Sequence, residues 1–194
     1  MIWLERGEHL GSGTLGRWAI ESDTRADVLL EVLDHSPALR PLRSHPRAEH
    51  VARYGSSALP LPVAAAFLGT LGEYAARLAR GSRSAVLTGA RAERVARCGD
   101  GSYAVTVTMD GVTRLLRAET VVYALGGSPV EVPLGERSIS AATLFASAGR
   151  AAVDLLPSRS PRVAIVGGSH SAFAAATMLL RLLGPRLGPG ALRI

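Results

Sequence analysis

The chain has no lysine, no asparagine and no glutamine, and a single cysteine, Cys98, among its 194 residues. Each absence excludes something. One cysteine cannot close an intrachain disulfide, and no cysteine cluster points to zinc, so a reducing, cytoplasmic setting is the expectation. Without lysine there is no phosphate-binding P-loop, which needs Lys after its second glycine; Arg17 stands there instead. No uncharged run is long enough for a membrane span, because the two most apolar stretches, 59–79 and 172–183, both contain charges. No basic-then-apolar leader opens the chain, since Glu5 interrupts it at once. The net charge of +6 raises nucleic acid as a partner. The arginines, however, are scattered rather than clustered with aromatics, so no nucleic acid is expected. Abundant Arg, Ala and Gly beside missing Lys and Asn reflect GC-rich coding.

Hydrophobic residues make up 47% of the chain, enough to bury a core. MIWLE (1–5) is a short apolar run ending in an acid, a buried-strand pattern. Thr24 and Asp27 form a T-x-x-D capping box, which predicts a helix over 24–34, ended by Asp34 and His35. Residues 35–60 show no clear period and predict loop; His45 and His50 lie there at a poor metal spacing. LPVAAAFLGTLGEYAARLAR predicts a helix over 61–80, with Leu61, Ala64 or Ala65, Leu68, Leu71 and Ala75 along one face. SAVLTG, RAERVARC, YAVTVTM, VTRLLRA and TVVYA then predict strands, and Asp110-Gly111 is a two-residue hairpin signal. A Pro/Ser/Gly-rich connection over 128–161 carries one helix near 140–150. PRVAIV (161–166) predicts a strand, followed by an Ala/Leu-rich helix to about Leu183 and the beginning of another strand at 191–194.

Two glycine loops compete for the dinucleotide fingerprint. Residues 11–16, G-S-G-T-L-G, match G-x-G-x-x-G letter for letter. A true fingerprint needs a strand running into the first glycine and a helix starting behind the last, with its N-terminus facing the phosphates. Here Glu5 to His9 intervene before the loop, and RWAIESD follows it without helical period. GGSHSA (167–172) is a weaker match in letters, since Ser169 holds the middle glycine position, but VAIV leads straight into it and FAAATMLLRLL follows. The context selects the second loop. The same residues resemble a loosened nucleophile elbow, with Ser169 as an esterase nucleophile, but no Asp, Glu or His follows Ser171 to complete that triad.

Three landmarks in order carry a family resemblance. LERGEHLGSGTLGRW resembles the end of the second strand of an FAD domain with its ribose-binding acid and the Gly-rich segment after it. TVVYALGGSPVEVP resembles the strand and motif that close such a domain, and RVAIVGGSHSA resembles the NAD(P) fingerprint that follows. Together they resemble FAD/NAD(P)-dependent oxidoreductases with two dinucleotide-binding domains, flavin-containing and amino-acid N-hydroxylating monooxygenases above all.

The resemblance implies an α/β fold. An incomplete Rossmann-like FAD domain (1–130) with an inserted antiparallel β-meander leads through a connection (131–160) into the start of an NAD(P)-binding Rossmann unit (161–194). It implies FAD and NAD(P)H as cofactors and hydride transfer between them. Glu5 would accept from the FAD ribose; Gly11, Gly13, Arg17 and Trp18 would pass near pyrophosphate and flavin; Ala124 and Gly126 would lie where the domains meet, with Leu125 replacing the usual Thr. Gly167, Gly168, Ser169, His170, Ser171 and Ala172 would line the nicotinamide cofactor's pyrophosphate. It identifies no catalytic acid or base, no metal site and no substrate. It also implies a first strand and fingerprint upstream of Met1, an NAD-versus-NADP determinant at or beyond Ile194, and open strand edges in the piece between. A non-catalytic remnant that binds nucleotide weakly is the alternative. The plainer readings are Glu5 as a solvated strand-end acid, Trp18 as core and His170 as a helix-start surface residue.

Overall fold

Twenty residues rich in Ala and Leu, started by Pro62 near the N-terminus and ended by Gly81, form the longest helix, α3 (Leu61–Arg80). The computed structural model describes residues 1–126, 135, 137–156 and 160–194. Preceding α3 are β1 (Ile2–Leu4), β2 (Glu21–Arg25), α1 (Ala26–Glu31), α2 (Pro46–Ala52) and β3 (Ala58–Pro60). After it come β4 (Ala85–Leu87), β5 (Arg91–Arg97), β6 (Tyr103–Met109) and β7 (Val112–Ala118). The C-terminal part holds α4 (Ala141–Phe145), α5 (Ser147–Asp154), β8 (Val163–Ala164), α6 (His170–Leu183) and β9 (Leu192–Arg193). The architecture is mixed α/β. No helix among the described residues is long and apolar enough to cross a membrane.

The sheets are small and mostly local. β1 pairs parallel with β4, Ile2 opposite Ala85. β2 and β3 pair antiparallel. β5, β6 and β7 form an antiparallel meander. Its β6–β7 turn uses Asp110 and Gly111, both at positive φ (51° and 74°), as a primed hairpin turn requires. β8 and β9 pair parallel, with α6 as their crossover.

Three clusters of buried side chains follow this organisation. Leu30, Leu33, Val51, Leu59 and Phe67 join α1, α2, β3 and α3. Val105 and Val107 pack one face of the meander against Leu4 and Leu87 of the parallel pair. Phe145, Val153, Leu179 and Leu183 join α4, α5 and α6, and Trp18 and Ile20 reach in from the N-terminal segment.

Four sequence expectations are corrected by the structure. The helix foreseen over 24–34 starts later, because Thr24 lies in β2 and Arg25 takes the cap position. Strand pairing of residues 21–25 with β3 holds Thr24 extended, so its hydroxyl caps nothing. The expected loop 35–60 contains α2 and β3. The expected strand at 120–124 does not form: among the described residues it pairs with no neighbour, and Val122 and Leu125 are 86% and 80% exposed. The helix near 140–150 is two helices broken at Ala146, whose ψ of 164° is extended.

Candidate functional site

Glu5 follows β1 directly, at the carboxyl end of the parallel pair. Its backbone N–H donates to the Leu87 carbonyl at 2.9 Å, and its carbonyl accepts from Ala90 N–H at 2.9 Å. Its carboxylate folds back, Oε1 accepting from Gly7 N–H at 2.6 Å, which fixes the turn after the strand. Ligands of open parallel sheets bind beyond this carboxyl end.

The G-S-G-T-L-G segment does something else with its glycines. It runs as a strap antiparallel to α3, from Leu10 beside Gly72 to Ile20, whose carbonyl accepts from Leu61 N–H at 2.9 Å. A Cβ on Gly11 would stand 2.1 Å from the Leu68 carbonyl oxygen, and one on Gly16 would stand 3.4 Å from the Ala65 Cβ. Both glycines therefore face the helix. Gly13, at φ +51°, is open to solvent, and Arg17 is exposed. Trp18 is half-buried with its ring 6.5 Å from that of Phe145, and Ala19 N–H donates to the Phe145 carbonyl at 2.7 Å. Trp18 is thus part of the packing around α4. Ala124 and Gly126 lie exposed in the unpaired segment after β7, Gly126 at φ +63°.

The second glycine loop has the local geometry its flanks predict. β8 leads into Gly167 at φ +134°, a conformation that favours glycine, and α6 begins at His170. A Cβ at Gly167 or Gly168 would meet nothing within 4 Å, so the backbone on both sides is open to close approach. Ser169 occupies the cap position with extended backbone (φ −93°, ψ 178°), and its side chain makes no capping hydrogen bond. That ordinary conformation is unlike the strained turn of a nucleophile elbow. Its carbonyl takes the first helical bond, from Ala172 N–H at 2.9 Å. His170 and Ser171 are exposed, and Ala172 is buried at 6% exposure. Helix N-termini leave their first N–H groups unpaired, and here they face solvent beside a glycine turn.

The structure therefore separates the residues singled out in the sequence. Glu5 belongs to the β1–β4 pair, Gly11 and Gly16 to the surface of α3, Trp18 to the cluster around α4 and α6, and residues 167–172 to the β8–α6–β9 unit. The carboxylates held below their ordinary range lie on other segments: Asp27 by its hydrogen bond from Arg25, Asp34 by that from Arg43, and Asp100 by that from Ser102. No three His, Cys, Asp or Glu side chains stand together as a metal site among the described residues.

Sequence reasoning missed one feature. Arg47 and His50 of α2 border a depression of about 400 Å³ against the first turns of α3. The overlooked signal was His45-Pro46, a capping side chain followed by proline at the first helical position. Compared with known proteins, the chain matches no family model and no curated relative.

Proposed function

We propose that the chain is a nucleotide-binding part of an FAD- and NAD(P)H-dependent oxidoreductase of the monooxygenase-like kind. The observation that carries this reading is the β8–α6–β9 unit: two parallel strands joined by a helix that begins three residues after a glycine at φ +134°. The residues there fit a pyrophosphate. Gly167 and Gly168 leave room for it, and the N-terminal turn of α6 offers N–H groups and positive potential.

The flavin half rests on Glu5, at the carboxyl end of a parallel strand where a ribose acceptor belongs. Gly11 and Gly16 face α3, so of the residues named in this segment the exposed Gly13 and Arg17 are the ones placed to meet a ligand. The hydride chemistry of such an enzyme is supplied by the cofactors; the chain's residues bind and orient.

A second reading is favoured by the same asymmetry: nucleotide binding at the α6 loop alone, without catalysis. Titrating the purified chain with NADPH, NADH and FAD, followed by fluorescence and calorimetry, separates the two. Saturable binding of a nicotinamide nucleotide together with retained flavin supports the oxidoreductase. Nicotinamide nucleotide binding alone supports the second reading. A folded chain that binds none of the three overturns both.

A further inference from the structure

The stretch from His35 to Arg53 holds four arginines and three of the chain's five histidines against one acid, Glu49. Folding concentrates part of this charge at one place. Arg43 is already committed, paired with Asp34. Arg47 has no acidic partner among the described residues, and it borders the depression between α2 and α3 together with His50, one helical turn along. The rest of the lining is apolar: Pro46 from α2, and Pro62, Val63 and Ala66 from α3. The local structure holds this arrangement in place. His45 Nδ1 accepts from Arg47 N–H at 3.2 Å and so caps α2, and the His50 ring lies 5.9 Å from that of Tyr54. The opening, about 400 Å³, is within the range of small-molecule sites.

An unpaired guanidinium and an imidazole at the border of a hydrocarbon floor select a ligand with one anionic end and an apolar body. A guanidinium matches a carboxylate with two parallel hydrogen bonds. The floor offers nothing to a second charge. We propose that this depression is a binding site for a small monocarboxylic acid, its carboxylate at Arg47 and His50 and its hydrocarbon part over Pro62, Val63 and Ala66. The site is on different elements from the β8–α6–β9 unit, so it stands or falls independently of the nucleotide reading.

The test is calorimetry and NMR titration of the full chain with hexanoate, acetate and hexanamide. Hexanoate binds saturably, and acetate and hexanamide bind about tenfold more weakly or not at all, since each lacks one of the two features the site reads. Arg47→Gln weakens hexanoate about tenfold, as expected for a lost charged hydrogen bond. Arg53→Gln, a cation that does not line the depression, leaves it unchanged. Ala66→Leu, which fills the floor, reduces hexanoate binding without removing any charge, and circular dichroism checks that each variant is folded. Absence of saturable hexanoate binding overturns the proposal. So does equal weakening by Arg47→Gln and Arg53→Gln, or acetate binding as tightly as hexanoate, because either would mean diffuse attraction to a basic surface.

Discussion

Gly11 and Gly72 face each other where the N-terminal strap crosses α3. A Cβ on Gly72 would lie 2.6 Å from the Leu10 carbonyl oxygen and 3.0 Å from Gly11 N. The obstructing atoms are backbone and cannot swing aside. Gly72→Ala therefore destabilises by about 1–3 kcal/mol, the usual cost of overpacking. Gly69 is the internal control. It lies on the same helix, and its Cβ would meet only the Ser12 Cβ at 3.9 Å, ordinary contact. Gly69→Ala stabilises by about 0.5–1 kcal/mol, because alanine is the better helix former. Urea unfolding of the two variants should move the midpoint in opposite directions.

Trp18 and Phe145 make a second checkable contact. Trp18→Ala removes a half-buried ring from the cluster shared by α4 and α6 and costs about 2–4 kcal/mol. Trp18→Phe retains much of that. If Trp18 only packs, thermal melting follows this order while nucleotide affinity of the folded variants does not change.

The surface carboxylates set the acid limb of the stability curve. Hydrogen bonds from Arg43 to Asp34 and from Ser102 to Asp100 hold both acids below their ordinary value in the folded chain. A carboxyl lowered by folding binds fewer protons folded than unfolded as pH falls. Its stabilising contribution is complete above the unfolded value of about 3.9 and is lost as pH drops through the lower folded value. Stability should therefore be flat in these terms from neutral pH to about 5 and fall below about 4. Asp34→Asn should flatten that fall, measured as the urea midpoint against pH.

Residues 120–125, TVVYAL, carry no charge and no proline, and among the described residues they pair with nothing. The free edges of the meander are different: β5 carries Arg91, Glu93, Arg94 and Arg97, and β7 carries Arg114 and Arg117. Charges of this kind keep strand edges from pairing with other chains, and an apolar six-residue run without them invites it. The chain should self-associate in a concentration-dependent way, more strongly at high salt where its net charge of +6 is screened. Val122→Arg should suppress this in light scattering without lowering the melting temperature, because Val122 is 86% exposed.

Gly167 tests the nucleotide loop. Its φ of +134° is open to glycine and strained for other residues, so Gly167→Ala bends the exposed loop into another conformation. NAD(P)H affinity should fall while the melting temperature changes little, because residues 166–171 are exposed and a Cβ at Gly167 meets none of the described residues within 4 Å. Unchanged affinity would remove the loop from any nucleotide site.

What the sequence made legible was what local chemistry decides. α3 appears over the residues its period predicts, and the Asp110-Gly111 turn adopts the dihedrals its residue types favour. The strand–glycine–helix order at 163–183 is present, though only Val163 and Ala164 pair as a strand. What was not legible depended on partners distant in the chain. Thr24 is a good cap by type, but pairing with β3 claims its backbone. TVVYA has the composition of a strand but pairs with no strand among the described residues, and β-propensity acts only where a neighbouring strand accepts the hydrogen bonds. The fate of G-S-G-T-L-G turned on Gly72, more than fifty residues away, which no local pattern could reveal. The α2 helix is seven residues long, too short for a period to stand out.

The parallel pairing of Ile2 with Ala85 also has a consequence in time. During synthesis the first apolar run leaves the ribosome long before its partner strand exists, and α3 must be made in between. Closing a contact of such sequence separation is slow and follows local helix formation. β1 therefore waits, exposed, until its partner is made, so chaperone dependence of this strand in a nascent chain should fall once β4 has left the ribosome and can dock.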